Sequence, residues 1–455
     1  MDPEELERRL IDCTRCGTCL KDCPVYHETL DEQYTARARV NLAKAVYYHG
    51  RFELGEGLRD IAEACLLCRA CLEACPNKVD GPVFARLLRE RVVERFGETA
   101  MRRAAFRGVL PEPGRVGWAA VAVRAAQRTG LDRFVGAIVT GSLATGSLAA
   151  GALGALPRLP ARPLTRIHRP GSVLPPADRD GTDGPASNHR PKARLAYFHG
   201  CLNDRVFPQT GLAVIDVLRR NGYEVVVPPQ NCCGLPASAG GDLAAARGMA
   251  QANVEALGRA VADWLITDCA SCGSALREYG DLLGTDEARA ISAKARDINE
   301  FLVTEGFDRE GLGEVALTVT YHDPCHLKRY QDIPAQPQAL LAAIPGLVFK
   351  EMRDAAVCCG AAGSFVLTHP DLAGRIGARK AANALATGAD AVATACPSCR
   401  MQLERVTVRA GRGLPAPHPV ELLARSYAAG DACRRERTPV DPARACQART
   451  KASAG

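Results

Sequence analysis

The chain has 455 residues, of which 47% are hydrophobic and 24% charged, a composition typical of a soluble globular protein with roughly two to four domains. Its formal net charge is +7, but the basic excess lies mainly in 157–194 and 433–455, so the rest of the chain is nearly neutral. Because only 5% of the residues are aromatic, neither a nucleic-acid groove nor a base-stacking platform is expected.

The distribution of the twenty cysteines is the most informative feature of the sequence. The first residues, MDPEELERRL, are polar and acidic and contain no apolar signal region. We therefore expect a cytoplasmic protein, because thiols stay reduced in that compartment. The cysteines are then metal ligands or redox residues rather than a disulfide framework.

Residues 1–100 contain one cysteine run twice, as CTRCGTCLKDCP and CLLCRACLEACP. Each run reads C-x2-C-x2-C-x3-C-P, the spacing of bacterial ferredoxins with two [4Fe–4S] clusters. Three thiolates two residues apart can wrap one corner of a cubane cluster. Zinc is the alternative metal. A zinc site, however, takes its four ligands as two pairs, which does not explain three evenly spaced cysteines followed by a fourth in C-P. The sequence therefore predicts a mostly helical, two-cluster ferredoxin-like module over 1–100.

The fourth cysteine of each run is expected to bind the cluster of the other run, as in two-cluster ferredoxins. One predicted ligand set is Cys13, Cys16, Cys19 and Cys75. The other predicted ligand set is Cys65, Cys68, Cys71 and Cys23.

Two segments follow the cysteine-rich module. Residues 101–156 are predicted to form a helical connector, and 157–193 a Pro- and Arg-rich linker or irregular loop. Within the connector, the uncharged stretch 134–156 is long enough to span a bilayer. Its five glycines and few large apolar residues favour small-residue helices packed against the module or a partner. Contact of this stretch with the surface of a membrane is a third interpretation, intermediate between a membrane span and packing against protein.

Residues 194–427 read as two similar halves, 194–312 and 313–427, followed by a polar, flexible tail over 428–455. Each half alternates strand and helix three times. Equivalent cysteines keep a nearly constant offset, which is 124 residues from Cys201 to Cys325, 126 from Cys232 to Cys358 and 127 from Cys269 to Cys396. This offset predicts a duplicated α/β domain with mostly parallel strands.

Each half places one cysteine after its first strand, an adjacent pair before a glycine, and a C-x2-C motif. The first set is Cys201, Cys232, Cys233, Cys269 and Cys272. The second set is Cys325, Cys358, Cys359, Cys396 and Cys399. All are predicted to lie just past the carboxyl ends of strands, where open α/β sheets bind ligands, and Gly234 and Gly360 let the backbone turn tightly beside the paired cysteines.

Five converging thiols exceed what one zinc ion needs, so each set predicts a sulfur-rich cluster or a redox-active thiol centre. Buried structural cysteines and a four-ligand zinc site are the alternatives. His199, His322 and His326 lie beside these cysteines in the sequence. They either tune a cluster and carry protons or simply hydrogen-bond a loop.

The pattern C…CCG…CxxC resembles the cysteine-rich CCG domain of heterodisulfide reductase subunits. It is similar also to iron–sulfur subunits of glycolate oxidase, lactate utilisation systems and anaerobic glycerol-3-phosphate dehydrogenase. The order of ferredoxin module, linker and two CCG domains most resembles the glycolate/lactate oxidase iron–sulfur subunit. The strings that carry this resemblance are CTRCGTCLKDCPVY, CLLCRACLEACP, CCGLPASAGG, YHDPCHL and CCGAAGSF.

The resemblance implies an α+β multidomain fold, with a helical two-[4Fe–4S] module followed by duplicated α/β CCG domains. It also implies one or two further non-cubane [4Fe–4S] clusters in these domains. Both five-cysteine sets are complete, which moves the resemblance toward the heterodisulfide-reductase-like and lactate-type branch.

The sequence contains no G-x-G-x-x-G after a strand and no P-loop, and no catalytic residue can be assigned. Because hydride chemistry needs a dedicated cofactor, we expect a partner, an FAD-containing dehydrogenase that oxidises a 2-hydroxyacid. The chain would pass single electrons to a quinone or another acceptor, with or without peripheral association with the cytoplasmic membrane face. The alternatives are an enzyme that reduces disulfides at its CCG clusters and a metal-stabilised interaction protein.

Overall fold

The computed structural model describes residues 12–48, 55–129, 157–177 and 190–436. The cysteine-rich module is built from short helices around the two cysteine loops. Capping residues fix where some of them begin; the Thr35 hydroxyl, for example, accepts a hydrogen bond from the N–H of Ala38. The module's α-helices are Pro24–Thr29, Ala36–Ala43, Glu56–Glu63, Ala70–Ala74 and Gly81–Phe96, with 3-10 turns at Thr18–Leu20 and Glu32–Tyr34 and a π-helical turn at Lys44–Tyr48.

The connector continues from the module as helices. Its elements are Ala100–Arg103, a π-helical turn at Ala104–Val109, and helix Pro113–Thr129. The helical prediction is therefore confirmed for these described residues. The stretch 134–156 lies outside the described residues. Among the helices that the structure describes, none is both long enough and apolar enough to cross a bilayer.

The first half folds around a five-stranded sheet with the order β1-β3-β2-β4-β5. Strands β2 to β5 are parallel to one another, and β1 pairs antiparallel with β3 at the edge. The strands are β1 Val173–Leu174, β2 Arg194–Tyr197, β3 Glu224–Val226, β4 Trp264–Thr267 and β5 Ala295–Asp297. The helices are Gly200–Arg205, Pro208–Arg220, Leu235–Gly240, Leu243–Gly258, Ala270–Leu283, Asp286–Lys294 and Ile298–Glu305.

The second half repeats this arrangement with a three-stranded parallel sheet in the order β7-β6-β8. The strands are β6 Leu317–Tyr321, β7 Leu347–Phe349 and β8 Ala391–Ala393. The helices are Cys325–Lys328, Gln336–Ala342, Phe365–Thr368, Pro370–Ala386, Pro397–Arg409 and Pro419–Glu436. The predicted duplication with mostly parallel strands is confirmed, and the first half adds β1 and β5 to the common three-strand core.

One hydrophobic core joins the two halves. Leu195 and Ile266 of the first sheet share a buried cluster with Val319 and Tyr321 of the second and with Leu423 of the last helix. The strand sequence WLIT is a nearly continuous apolar run, as expected for a parallel strand covered on both faces. The halves are therefore packed against each other rather than tethered by a loop.

The linker prediction for 157–193 is wrong over 164–174, where the chain forms a short helix, Leu164–Ile167, and the edge strand β1. Leu164 is fully buried in the shared core, and Val173 pairs with Val226. The prediction relied on the Pro- and Arg-rich composition and overlooked the few apolar residues that anchor this segment to the first half.

The flexible-tail prediction is wrong over 428–436, because helix Pro419–Glu436 continues through these residues. Asp431 is buried and forms ion pairs with Arg220 and Arg434. A polar segment can be ordered when its charges find fixed partners, and the sequence pattern alone does not reveal those partners.

Candidate metal centre

The two C-x2-C-x2-C loops have the same backbone shape. Arg15 in the first run and Leu67 in the second have φ values of 60° and 53°. The next equivalent pair is Gly17, with a φ of 83°, and Arg69, with a φ of 57°. Non-glycine residues rarely adopt this left-handed conformation. Its recurrence at matching positions indicates loops shaped around a ligand.

Each loop lines its own cavity, and each cavity also receives the last cysteine of the other run. The first cavity is lined by Cys13, Cys16, Cys19 and Cys75, and also by Cys71, which lines both cavities. The second cavity is lined by Cys23, Cys65, Cys68 and Cys71. The cavities thus bring together the two ligand sets that the spacing predicts.

Backbone N–H groups point at the sulfur atoms of both cavities. The N–H of Leu67 lies 3.4 Å from Cys65 Sγ, and the N–H of Val79 lies 3.4 Å from Cys75 Sγ. Such donors stabilise the charge of a thiolate-bound iron–sulfur cluster. Burial raises the pKa of Cys23, Cys68 and Cys71, so metal binding must displace protons from these thiols. The residues present fit two cubane clusters.

The cysteines of the duplicated halves lie just past the carboxyl ends of strands, as predicted. Cys201 follows β2, the pair Cys232 and Cys233 follows β3, and Cys269 begins the helix after β4. In the second half, Cys325 follows β6, Cys358 and Cys359 follow β7, and Cys396 begins the helix after β8. None of the ten cysteines of the two sets forms a disulfide.

The glycines after the cysteine pairs take the conformation that the sequence predicts. Gly234 and Gly360 both have a φ of 84°. A Cβ atom at Gly234 would lie 3.1 Å from the carbonyl oxygen of Ala246, and one at Gly360 would lie 3.1 Å from that of Ala373. The tight turn therefore seats the cysteine pair against the following helix in both halves.

The two five-cysteine sets meet in a single site rather than two separate ones. Their thiols form an unbroken series of neighbours that shift one another's pKa, in the order Cys201, Cys232, Cys233, Cys272, Cys269, Cys396, Cys399, Cys359, Cys358 and Cys325. The order in the second half mirrors that in the first, and the two halves join at Cys269 and Cys396. All ten thiols line one cavity of about 130 Å³.

Equivalent thiols in the two halves are activated in the same way. Hydrogen bonds from Cys232 and Cys272 lower the pKa of Cys233 well below that of a free thiol. Hydrogen bonds from Cys358 and Cys399 do the same for the pKa of Cys359. A buried thiolate is stable only with such donors or with a metal. A sulfur-rich donor set of this kind suits iron–sulfur clusters better than a single zinc ion.

The second set lies next to the ferredoxin-like module. Cys325 and Cys358 share a buried cluster with Cys68, and Cys65 lines the ten-thiol cavity. Tyr330, which the motifs did not reveal, stacks at this junction between His326, with ring centroids 4.5 Å apart, and the Arg69 guanidinium, 3.8 Å from the ring. The Tyr330 hydroxyl also donates to the carbonyl oxygen of Leu67 at 2.8 Å.

The three candidate histidines have different surroundings. His199 lines the cavity, and its Nδ1 lies 2.9 Å from the carbonyl oxygen of Gly200. His326 Nδ1 lies 3.4 Å from Cys325 Sγ. His322 is fully buried, which lowers its pKa to about 3, and one of its ring nitrogens lies within 4.8 Å of the sulfur atoms of Cys359 and Cys399.

Buried basic residues surround the sites, and sequence reasoning missed them. Arg89 donates to the carbonyl oxygens of Ala62, Glu63 and Cys65 in the module and of Ala239 in the first half. Lys380 is buried beside Cys358 and Cys359. No local pattern distinguishes these residues from ordinary surface-facing helix positions.

Three family models match the chain in the order of its structural units. The 4Fe-4S dicluster domain matches residues 9–79, and the glycolate oxidase iron-sulfur subunit linker region matches 97–150. The cysteine-rich CCG domain matches twice, over 195–277 and 319–404. The chain is therefore an iron–sulfur protein with a helical dicluster module and duplicated CCG domains.

Curated relatives match all or part of the chain. A subunit of the dihydromethanophenazine:CoB–CoM heterodisulfide reductase of Methanosarcina acetivorans is 26% identical to the chain, over 87% of this chain and 88% of that protein. Lactate utilization protein A of an Exiguobacterium species is 29% identical, over 50% of this chain and 96% of that protein. The probable glycolate oxidase iron-sulfur subunit of Bacillus subtilis is 32% identical, over 92% of this chain and 94% of that protein. The chain belongs to the family of iron–sulfur subunits that includes this Bacillus protein.

Proposed function

We propose that this chain is the electron-transfer subunit of a flavin-dependent 2-hydroxyacid dehydrogenase complex. An FAD-containing partner oxidises glycolate or lactate, and this chain passes the electrons to a quinone or another acceptor. The observation that carries the proposal is the continuous series of sulfur sites, which runs from the exposed Cys16 through the two module cavities to the ten-thiol cavity.

The proposed ligand sets are the crossed sets of the module and the two five-cysteine sets of the CCG domains. Bound [4Fe–4S] clusters would supply one-electron transfer, which divides the two electrons of a reduced flavin into single steps. The chain's own residues hold the sulfur ligands, exclude water by burying nine of the ten CCG thiols, and bring Cys68 next to Cys325. The second set therefore lies between the module and the first set along the route.

The domain boundaries also remain part of the proposal. We assign 1–100 to the dicluster module, 101–156 to the connector, and 194–312 and 313–427 to the two CCG domains. The family models support this division, since each match falls within or close to one of these ranges.

The partner contact is proposed at the edge of the first cluster site. Cys16 is the exposed cysteine among the described residues, and Thr14, Arg15 and Thr18 around it are exposed too. Electron transfer between proteins requires a close approach of the cofactors, so a cluster near the surface is the natural entry point. Arg15→Glu should weaken electron transfer from the flavoprotein without loss of iron, whereas Arg353→Glu, on an exposed loop of the second half, should have no effect.

We also propose that the chain binds the surface of a membrane through one helix. Helix Pro113–Thr129 exposes Trp118 and Val121, with relative exposures of 77% and 59%, and Arg115 and Arg128 are exposed on the same helix. Apolar and basic side chains together favour binding to an anionic membrane surface. Sedimentation with anionic vesicles should be reduced in Trp118→Ser; equal sedimentation of variant and parent would remove this element of the proposal.

The decisive test combines the purified chain with its flavoprotein partner. The isolated chain should not oxidise glycolate, D-lactate or L-lactate, whereas the complex should reduce a quinone analogue. Deletion of this gene should prevent growth on the hydroxyacid and leave FAD bound to the partner. Robust turnover by the isolated chain would overturn the proposal.

Disulfide reduction is the second candidate function. The specific observation in its favour is that both five-cysteine sets are complete and face one cavity, in which a disulfide could meet thiolate sulfur from both halves. The isolated, reduced chain would then turn over a disulfide substrate with an artificial electron donor. Absence of this activity, together with quinone reduction by the complex, selects the electron-transfer function.

A further inference from the structure

The two thiol sets differ at several neighbouring positions, and one of these differences bears directly on metal binding. Phe198 follows the last residue of β2, and His322 follows the last residue of β6. Their backbones are equivalent: the N–H of Phe198 donates to the carbonyl oxygen of Ile266 at 2.8 Å, and that of His322 to Ala393 at 2.9 Å. The duplicated fold therefore places a phenyl ring in the first half where the second half has an imidazole.

The hydrogen bond of the His322 ring fixes its tautomer. Nδ1 lies 3.0 Å from the carbonyl oxygen of Ala355. A carbonyl oxygen can only accept, so Nδ1 carries the proton, and Nε2 of the neutral ring presents a lone pair. This use of one ring nitrogen to donate to a backbone carbonyl is typical of histidines that bind a metal through the other nitrogen.

The Nε2 atom of His322 is buried and has no hydrogen-bond partner among the described residues. One ring nitrogen of His322 lies with Cys359 Sγ and Cys399 Sγ in a group whose ligand atoms are all within 4.8 Å of one another, and because Nδ1 donates to Ala355, Nε2 is the nitrogen left to bind a metal. An unpaired polar atom in the interior is costly, and Phe198 shows that an apolar ring fits the equivalent position. A role in packing therefore does not account for the imidazole.

We propose that His322 Nε2 is a metal ligand of the centre held by the second thiol set. This centre then has mixed thiolate and imidazole ligation, whereas the first set, beside Phe198, supplies sulfur alone. The inference rests on the proposed function only in that both sets hold iron–sulfur centres.

The surroundings of the two sets also differ in charge. Imidazole as an added ligand leaves the five thiolates in place, so the difference in reduction potential is expected from the charge around the two sets. Lys380, which donates to the carbonyl oxygens of Asp354 and Ala355, places a cation beside the second set. The equivalent residue of the first half, Asn253, is neutral and donates to the carbonyl oxygen of Cys232. The second centre therefore has the higher reduction potential of the two.

The test is nitrogen hyperfine spectroscopy on the full-length, anaerobically purified protein, with natural histidine or with histidine labelled with heavy nitrogen. The unmodified protein should show a strongly coupled histidine nitrogen on a paramagnetic cluster centre. His322→Phe, which installs the residue of the first half, should lose this coupling and change one reduction potential. His326→Gln, the matched control beside Cys325, should keep the coupling.

Three outcomes would overturn the proposal: no coupled histidine nitrogen in the unmodified protein, coupling that persists in His322→Phe, or coupling lost only in His326→Gln. An iron content no greater than that of the two N-terminal clusters would overturn it too. The measurement on unmodified protein decides the matter even where His322→Phe fails to fold. The spectroscopic measurement needs no flavoprotein. Failure of hydroxyacid-dependent quinone reduction would therefore overturn the proposed function and leave the assignment of His322 unchanged.

Discussion

The thiols of Cys269 and Cys396 are neighbours across the boundary between the two halves, and each shifts the pKa of the other. The backbone supports this contact, because the N–H of Ala270 donates to the carbonyl oxygen of Ala395 at 3.0 Å. The Ser271 hydroxyl lies 3.5 Å from Cys396 Sγ. The duplicated domains therefore meet at their C-x2-C motifs, and this junction turns two sets of thiols into one site.

Exchange of the fourth ligands is the first prediction. Cys23→Ala should disturb the cluster bound by Cys65, Cys68 and Cys71, because Cys23 lines the cavity of that run. Cys75→Ala should disturb the cluster of the first run for the same reason. Electron paramagnetic resonance of both full-length variants distinguishes the clusters. If each variant loses the cluster of its own run, the crossed ligand sets are wrong.

Loss of the Arg89 side chain should destabilise the protein strongly. Its guanidinium is buried and donates to four carbonyl oxygens, all of which Arg89→Met would leave without this partner. We expect a loss of about 3 kcal/mol or more in the free energy of unfolding, since each lost bond to a charged donor costs about 1.5–3 kcal/mol.

The control for this change is Arg91→Met on the same helix. Arg91 is exposed and pairs with Glu94 at 2.8 Å, and such surface pairs contribute about 1 kcal/mol or less. Anaerobic thermal unfolding, followed by loss of cluster absorbance, compares the two variants. Equal midpoints would show that Arg89 does not hold the module on the first half.

Gly241→Ala should weaken the same interface by steric means. Gly241 has a φ of 96°, and a Cβ atom there would lie 2.6 Å from the carbonyl carbon of Arg89. The contacting atom is backbone and cannot move aside, so the two units must separate or distort. The control is Gly248→Ala, where the added Cβ meets no atom of the described residues within 4 Å. That helical substitution should be stabilising by up to about 1 kcal/mol. Similar melting curves for the two variants would contradict the prediction.

Arg329 should tune the cluster that contacts the second thiol set. Its guanidinium lies close to Cys68 and Cys325 and pairs with Glu73 at 2.6 Å. A nearby cation favours the reduced, more negative form of a cluster, so Arg329→Gln should lower the reduction potential of the cluster that includes Cys68. Arg329→Lys keeps the charge and should shift it much less. Potentiometric titration of both variants is the measurement, and an equal shift in both would indicate a structural rather than an electrostatic effect.

Local spacing alone predicted much of the chemistry of this protein. Three cysteines two residues apart can reach one cluster corner without any help from the rest of the fold, so the sequence sufficed to identify the loops of Cys13 and Cys65. The nearly constant offset from Cys201 to Cys325 likewise revealed the duplication, since it depends only on counting residues. The strand ends followed from the apolar runs, because parallel strands are buried on both faces.

Tertiary packing decided how these parts are joined. Convergence of the two sets on one cavity, the contact of Cys68 with Cys325 and the burial of Arg89 between units each involve residues far apart in the sequence. The segments around Leu164 and Asp431 are also held in fixed positions by partners elsewhere in the chain. A local pattern shows which face of an element is apolar but not which surface will cover it. Those partners are selected by shape and charge complementarity, which exists only when the whole chain is folded.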